Sequence, residues 1–255
     1  MEFLRVDHVP AAGDIVHARA ELAVAAGGGA VAAVQLARWA GACTFYTALG
    51  DDELGRRAAD DLRARGVDVR AALRPAPQRR AFTLVDAARE RTILVVGDRL
   101  VPHAADPLPW DELATYDAVY LTGADPAAIH LARRARRLVA TARILALLRR
   151  APVPLDALVG STSDPSERYT PGDLTPEPAL VVRTDGARGG EYRVGGTAHR
   201  YAASPVTVTG DTYGAGDTFA AGLAYGLARD LPPAEVVADA AARAVAVLAW
   251  TGPYG

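Results

Sequence analysis

Apolar and polar positions change period repeatedly along the chain, and each change predicts an element. From Phe3 to about Ala26, the extended runs FLRV and DIVHARAEL flank a turn at residues 10–13, which predicts a β-hairpin or small sheet. Gly27, Gly28 and Gly29 then lead into AVAAVQLARWA, where Val31, Val34, Leu36 and Trp39 predict a mostly buried helix. CTFYTAL, β-branched and aromatic, reads as a strand, and Asp51 or Asp52 is placed to cap the helix ELGRRAADDLRARG after it. AFTLVD and RTILVV, joined by a polar turn at residues 88–90, predict a hairpin, followed by a proline-rich loop.

In the second half, DAVYLTG, RLVATAR, LDALVGS and ALVVRTDG are apolar runs separated by helical stretches such as AAIHLARRAR and ILALLRR. Alternating strands and helices predict a parallel sheet covered on both faces, with ligands at the carboxyl ends of its strands. GEYRVGG and AHRYAAS predict an antiparallel hairpin at the sheet edge. GAGDTFAAGLAYGLARDL and PAEVVADAAARAVAVLAW predict two long helices, the second opened by Pro233. Arg133, Arg134, Arg136 and Arg137 read as the solvated side of a helix that also carries Ile129, Leu131 and Leu138.

Composition narrows the chemistry. The 255 residues are 50% hydrophobic and 23% charged, which predicts one compact domain, or one with a small appendage, and a core that needs neither disulfide nor structural metal. The single cysteine, Cys43, excludes an intramolecular disulfide and zinc sites built from two or more thiolates, and it fits a reducing, cytoplasmic setting. All 28 basic residues are arginine. Without a lysine, Schiff-base catalysis and the lysine-ending Walker phosphate loop are impossible. A net charge of −2 with interspersed signs argues against nucleic-acid binding. Apolar stretches are broken before the roughly 20 residues of a membrane span, and the first residues carry no readable secretory signal. The five histidines are scattered without metal-ligand spacing.

The most informative segment is VTVTGDTYGAGDTF, residues 206–219. A β run ends at Gly210, and a turn at Gly214, Ala215 and Gly216 opens a helix with Asp217 in its first turn. Free amides at a helix start, with glycines that admit a close approach, form an anion cradle. A carboxylate inside that cradle serves a phosphotransferase, which needs a base beside the transferring group. On spacing alone, Asp217 as a plain helix cap is an equal reading. Likewise, Gly27, Gly28 and Gly29 on an α/β chain admit a dinucleotide-dependent oxidoreductase, although they are contiguous and lack the spaced fingerprint.

The string GDTYGAGDTF resembles the C-terminal signature of the ribokinase-like (PfkB) family of carbohydrate and nucleoside kinases. Residues 27–69 resemble the family's N-terminal signature, with glycines before a helix and then strand, Gly-Asp-Asp and helix. RTDGARGG, residues 183–190, is similar to its nucleotide-binding Thr-x-Gly-x-x-Gly turn. The resemblance implies a three-layer α/β/α sandwich over residues 27–255, with a small β lid from residues 1–26 and parts of 70–100. It implies phosphoryl transfer from ATP, with Mg2+, to a small sugar, polyol or nucleoside. Asp217 matches the base and Gly214, Ala215 and Gly216 the anion hole. Thr184, Gly186, Arg188 and Gly189 match nucleotide contacts, and Asp211 and Thr212 a monovalent-cation (K+) loop. Gly27, Gly28 and Gly29 would face the sugar, Asp14 on the lid would hold a sugar hydroxyl, and Phe3, Leu4 and Ile15 would be exposed for pairing of two lids in a homodimer.

Three departures from the family pattern stand out. The central strand that usually precedes the lid is not found here: either the recorded start is late, or the sheet lacks a member and one substrate ligand. The asparagine expected after the paired glycines is Val31 or Ala32. The Asn-x-x-Glu segment that organises magnesium reads Ser161 and Asp164 at that spacing, leaving Asp164 to hold magnesium waters. A second reading of the drift is a catalytically weak sensor that binds sugar or nucleotide.

Overall fold

The computed structural model describes residues 1–203, 205, 206 and 208–254, and it contains three sheets. Strand β1 (Glu2–Arg5) pairs antiparallel with β2 (Ala20–Ala23). Of the expected β-hairpin or small sheet, the structure has the small sheet: the connection runs across residues 6–19, and DIVHARAEL contributes only its end to the pairing. Phe3 is also not exposed as expected, because it packs edge-on against Tyr213, with ring centroids 4.9 Å apart. Helix α1 (Gly28–Ala40) buries Val31 and Val34 and ends at Gly41 in a left-handed cap, φ 76°. Strands β3 (Thr44–Gly50) and β4 (Asp68–Arg74) pair in parallel, with α2 (Glu53–Ala64) as their crossover. Asp52, rather than Asp51, caps α2 by accepting from the Gly55 amide at 2.8 Å. The expected hairpin of β5 (Arg80–Val85) and β6 (Arg91–Val96) adds to β1 through a parallel pairing, giving a sheet of order β2-β1-β5-β6. Strand β6 is its free edge and exposes Ile93, Leu94, Val95 and Val96.

The second half follows the alternating pattern. Strands β7 (Ala118–Leu121), β8 (Arg137–Thr141), β9 (Ala157–Ser161) and β10 (Leu180–Thr184) are parallel, and β11 (Gly190–Val194) and β12 (Thr197–Tyr201) add the antiparallel edge hairpin. Period-2 geometry sends Leu138, Ala140, Leu158 and Val181 into one core, shared with Ile129 of α3 (Pro126–Ala132) and Leu145 and Leu148 of α4 (Leu145–Leu148). Val139, Val159 and Val182 point to the opposite core, under Leu223 of α5 (Ala215–Ala228) and Val236 and Val237 of α6 (Pro233–Ala246). Both faces are buried, which is why these strands read as continuous apolar runs.

The arginine cluster does not lie on a helix. Helix α3 stops at Ala132, because the Arg133 guanidinium turns back to the carbonyls of Ala135 and Arg136 and to Asp156, closing a tight turn into β8. Arg134 pairs with Asp111, Arg136 with Asp117 and Asp230, and Arg137 with Asp156 and Asp230.

Among the described residues, no strand joins β3 to β7. Each of the two has a partner on one side only, both pack on α1, and a cleft of about 590 Å³ runs between them, lined by Thr44, Phe45 and Tyr46 on one side and Val119, Tyr120 and Leu121 on the other. Among the described residues, the core is thus divided between β3 and β7. At one end of the gap Tyr46 stacks on Trp110, centroids 5.4 Å apart, and Tyr116 donates to the Thr44 hydroxyl at 3.0 Å.

Candidate active site

The carboxyl ends of β7, β8 and β9 and the start of α5 open on one side of the sheet, as a parallel sheet requires. Gly214 caps α5 with φ 80°, a left-handed conformation that glycine adopts without strain, and a Cβ there would come within 3.1 Å of Val31. The first amides of α5 have no intrahelical acceptor and point outward at the positive end of the helix. Asp217 follows in the first turn.

What sets Asp217 in place is the other glycine turn. A Cβ on Gly28 would stand 2.6 Å from Asp217 Oδ1, so the two motifs, far apart in sequence, meet here, and a side chain at Gly28 would push the carboxylate from its place. The approach is fixed from behind by hydrogen bonds. The Gly27 amide donates to the Tyr213 hydroxyl at 3.0 Å, and Tyr254 donates to the Ala25 carbonyl at 2.6 Å. Buried Asp211 accepts from the amides of Tyr213 at 2.9 Å and Gly252 at 2.7 Å. Gly27, Gly28, Gly29 and Asp217 line a cleft of about 1080 Å³ together with Arg99, Thr122 and Arg143.

Burial pushes the Asp217 carboxyl above the usual carboxylate range, and the Arg143 guanidinium pulls it back. Arg143 is itself held by Glu167, Nε to Oε1 at 2.5 Å, while the other Glu167 oxygen accepts from the Ser161 amide at 2.8 Å. Burial and the Asp217 charge push the Tyr120 phenol up, so it stays neutral beside them. A raised carboxylate held ionised by a tethered cation can take a proton near neutral pH.

The other expected residues fall in several places. Thr184 ends β10 with its hydroxyl toward the Gly160 carbonyl, and Gly186, Arg188 and Gly189 form the following turn. Arg188 is exposed and paired with Asp185, which also accepts from Thr162, holding the Asp185 carboxyl down at about 2. Asp164 caps a short turn, one oxygen accepting from Ser166, and stays ionised below its ordinary range. Thr212 accepts from Arg91 at 2.6 Å, and Arg89 donates to the carbonyls of Val208 and Gly210. Asp14 is not brought to the cleft: it sits in an exposed turn, accepting from the Ala11 amide at 2.9 Å. Sequence reasoning missed Arg99, Arg143, Glu167 and Tyr213. Arg143 was findable, since it lies just past the carboxyl end of a predicted parallel strand.

The pfkB family carbohydrate kinase model matches residues 3–159 and 154–254. No curated protein matches the chain. Among solved structures, ribokinase from Thermotoga maritima is similar with a TM-score of 0.78 and 19% identity, over 99% of this chain and 91% of that one. Adenosine kinase from Sinorhizobium meliloti gives 0.77 and 20%, over 93% and 82%. Ribokinase from Arabidopsis thaliana, complexed with ribose and ATP, gives 0.67 and 19%, over 98% and 90%. At these identities the likeness establishes a ribokinase-like α/β fold.

Proposed function

The chain belongs to the pfkB family of carbohydrate kinases, and on that premise we propose that it transfers the γ-phosphoryl group of ATP to a hydroxyl of a small sugar, polyol or nucleoside. The observation that carries this reading is the Asp217 carboxylate seated against Gly28 at the mouth of an anion cradle, within a cleft large enough for an acceptor. The acceptor hydroxyl gives its proton to Asp217 as its oxygen attacks the γ-phosphorus, and the bond to the bridging oxygen breaks with its electron pair leaving on ADP. Amides at Gly214, Ala215 and Gly216 meet the charge that develops on the transferring group.

Asp164 suits a magnesium ion that keeps most of its waters: it is ionised, with one oxygen free of protein donors among the described residues. No cluster of three acidic, histidine or cysteine side chains competes for that role among those residues. Bound there, magnesium would neutralise phosphate charge. The residues expected to hold a monovalent cation fit one less well. Both oxygens of Asp211 accept backbone amides, and Arg89 and Arg91 already bring positive charge to the neighbouring oxygens.

The test is acceptor-dependent ADP formation with Mg-ATP across a panel of sugars, polyols and nucleosides. Asp217→Asn is expected to lower turnover by about 10²–10⁴-fold with the fold intact. A variant as fast as wild type would refute the role of Asp217, and ATP binding without turnover of any acceptor would favour the sensor.

A further inference from the structure

The wall of the large cleft is unusually basic. Arg57, Arg79, Arg80, Arg99 and Arg143 all line it. Three carboxylates, Glu2, Asp61 and Asp217, also line it; Arg80 is paired with Glu2 and Arg143 with Glu167, but Arg57, Arg79 and Arg99 make no ion pair among the described residues. Scarcity of acids does not explain this, because the chain has 30 acidic residues to 28 arginines and sets them against Arg133, Arg134, Arg136 and Arg137 elsewhere.

Arg99 is built in, not incidental. Its Nη2 donates to the Thr122 carbonyl at 2.6 Å, and it lies over Gly123, where a Cβ would come within 2.9 Å of the guanidinium. Thr122 in turn abuts Gly29, and neighbouring Gly28 abuts Asp217, so an unbroken run of contacts joins Arg99 to the base. The backbone that carries Arg79 is held at Gln78, which is bound through its amide to Asp52 and through its side chain to the Gly50 amide. Burial and the charges of Arg79 and Arg143 act together to lower the Arg99 pKa. Like charges converging on one cleft repel, and an anion bound between them relieves that repulsion. The nucleotide candidates Thr184, Gly186, Arg188 and Gly189 do not line this cleft, and of ATP only the transferring phosphoryl would reach it, at Asp217, beside Arg143 in the same lining.

We propose that the acceptor is itself anionic, a polyhydroxy compound carrying a phosphate or a carboxylate that Arg99 and Arg79 hold while one of its hydroxyls faces Asp217. The proposal rests on the kinase reading for the hydroxyl, but not for the anion. Guanidinium groups bind either anion through paired hydrogen bonds.

The experiment measures calorimetric binding and ADP formation for matched pairs: fructose 6-phosphate against fructose, ribose 5-phosphate against ribose, and gluconate against glucose. The anionic member of at least one pair is expected to bind at least about ten-fold more tightly, and less so as salt rises. Preference in the phosphate pairs or in the gluconate pair identifies the group. Arg99→Gln and Arg79→Gln should each remove most of that preference while leaving the KM for ATP unchanged; the second variant, on an exposed side chain, stands in if the first fails to fold. Equal binding across every pair overturns the proposal, even if a neutral sugar is phosphorylated. Arginine-dependent binding of an anionic sugar without turnover sustains the anion site and overturns the kinase reading.

Discussion

Asp217 is a carboxylate that burial alone would push toward its protonated form, and the tethered Arg143 guanidinium opposes that shift. The sign of the pH dependence follows. Activity that needs ionised Asp217 falls as pH drops through its raised pKa, and removing Arg143 raises that pKa further. Arg143→Gln is therefore expected to move the acid limb of the kcat/KM profile to higher pH; a limb that stayed in place or moved to lower pH would contradict this electrostatic role. At this scale the sequence was legible where the chemistry is local. Gly214, Ala215, Gly216 and Asp217 sit within one turn, and their spacing announces them. Arg99 and Arg143 reach the cleft from separate parts of the chain, and Glu167 holds Arg143 from behind, so no short string contains them. Asp14 went the other way, because a glycine followed by an aspartate fits an ordinary exposed turn equally well, and that is where it lies.

Among the elements, the β5–β6 hairpin does more than cover the cleft. Its turn places Arg89, at φ 64°, so that the guanidinium grips the carbonyls of Val208 and Gly210, and Arg91 grips Thr212. The loop leading into the anion cradle is thus braced by two resident cations. Turnover is expected to be the same with K+ as with tetramethylammonium, and Arg89→Ala to lower it by roughly 10- to 100-fold by loosening the loop; strong activation of the wild type by K+ would show that the arginines do not fill this role. Element types were largely readable, because β8, β9 and β10 are apolar on both faces and α5 and α6 have helical period. The end of α3 was not. The stretch after Ala132 keeps an apolar spacing compatible with a helix, and only the distant carboxylates of Asp156 and Asp230 make the turn favourable.

Across the whole molecule, the β3–β4 pair and the sheet that begins at β7 are not joined by a continuous ladder among the described residues, since β3 and β7 face each other across the 590 Å³ cleft. Amides on these edges have no strand partner there, unlike those of β8 and β9, which are bonded on both sides. Hydrogen exchange is expected to be markedly faster for the facing edges of β3 and β7 than for β8 and β9, and uniform protection would refute the division. The order of strands and helices could largely be read from the sequence, except β4, whose short run DVRAALR was not read as a strand. How β3 and β7 would be arranged could not be read, since that depends on packing between distant helices.

The gap also makes α1 a lever. Helices α1 and α5 pack on each other, with Trp39 and Tyr225 ring centroids 5.9 Å apart and Arg243 lying over both rings. Its far end carries Gly28, whose backbone is the seat of Asp217. Among the described residues no strand joins the β3–β4 block to β7, so α1 is the element that carries contacts from the Trp39–Tyr225 joint at one end to Gly28 and Asp217 at the other.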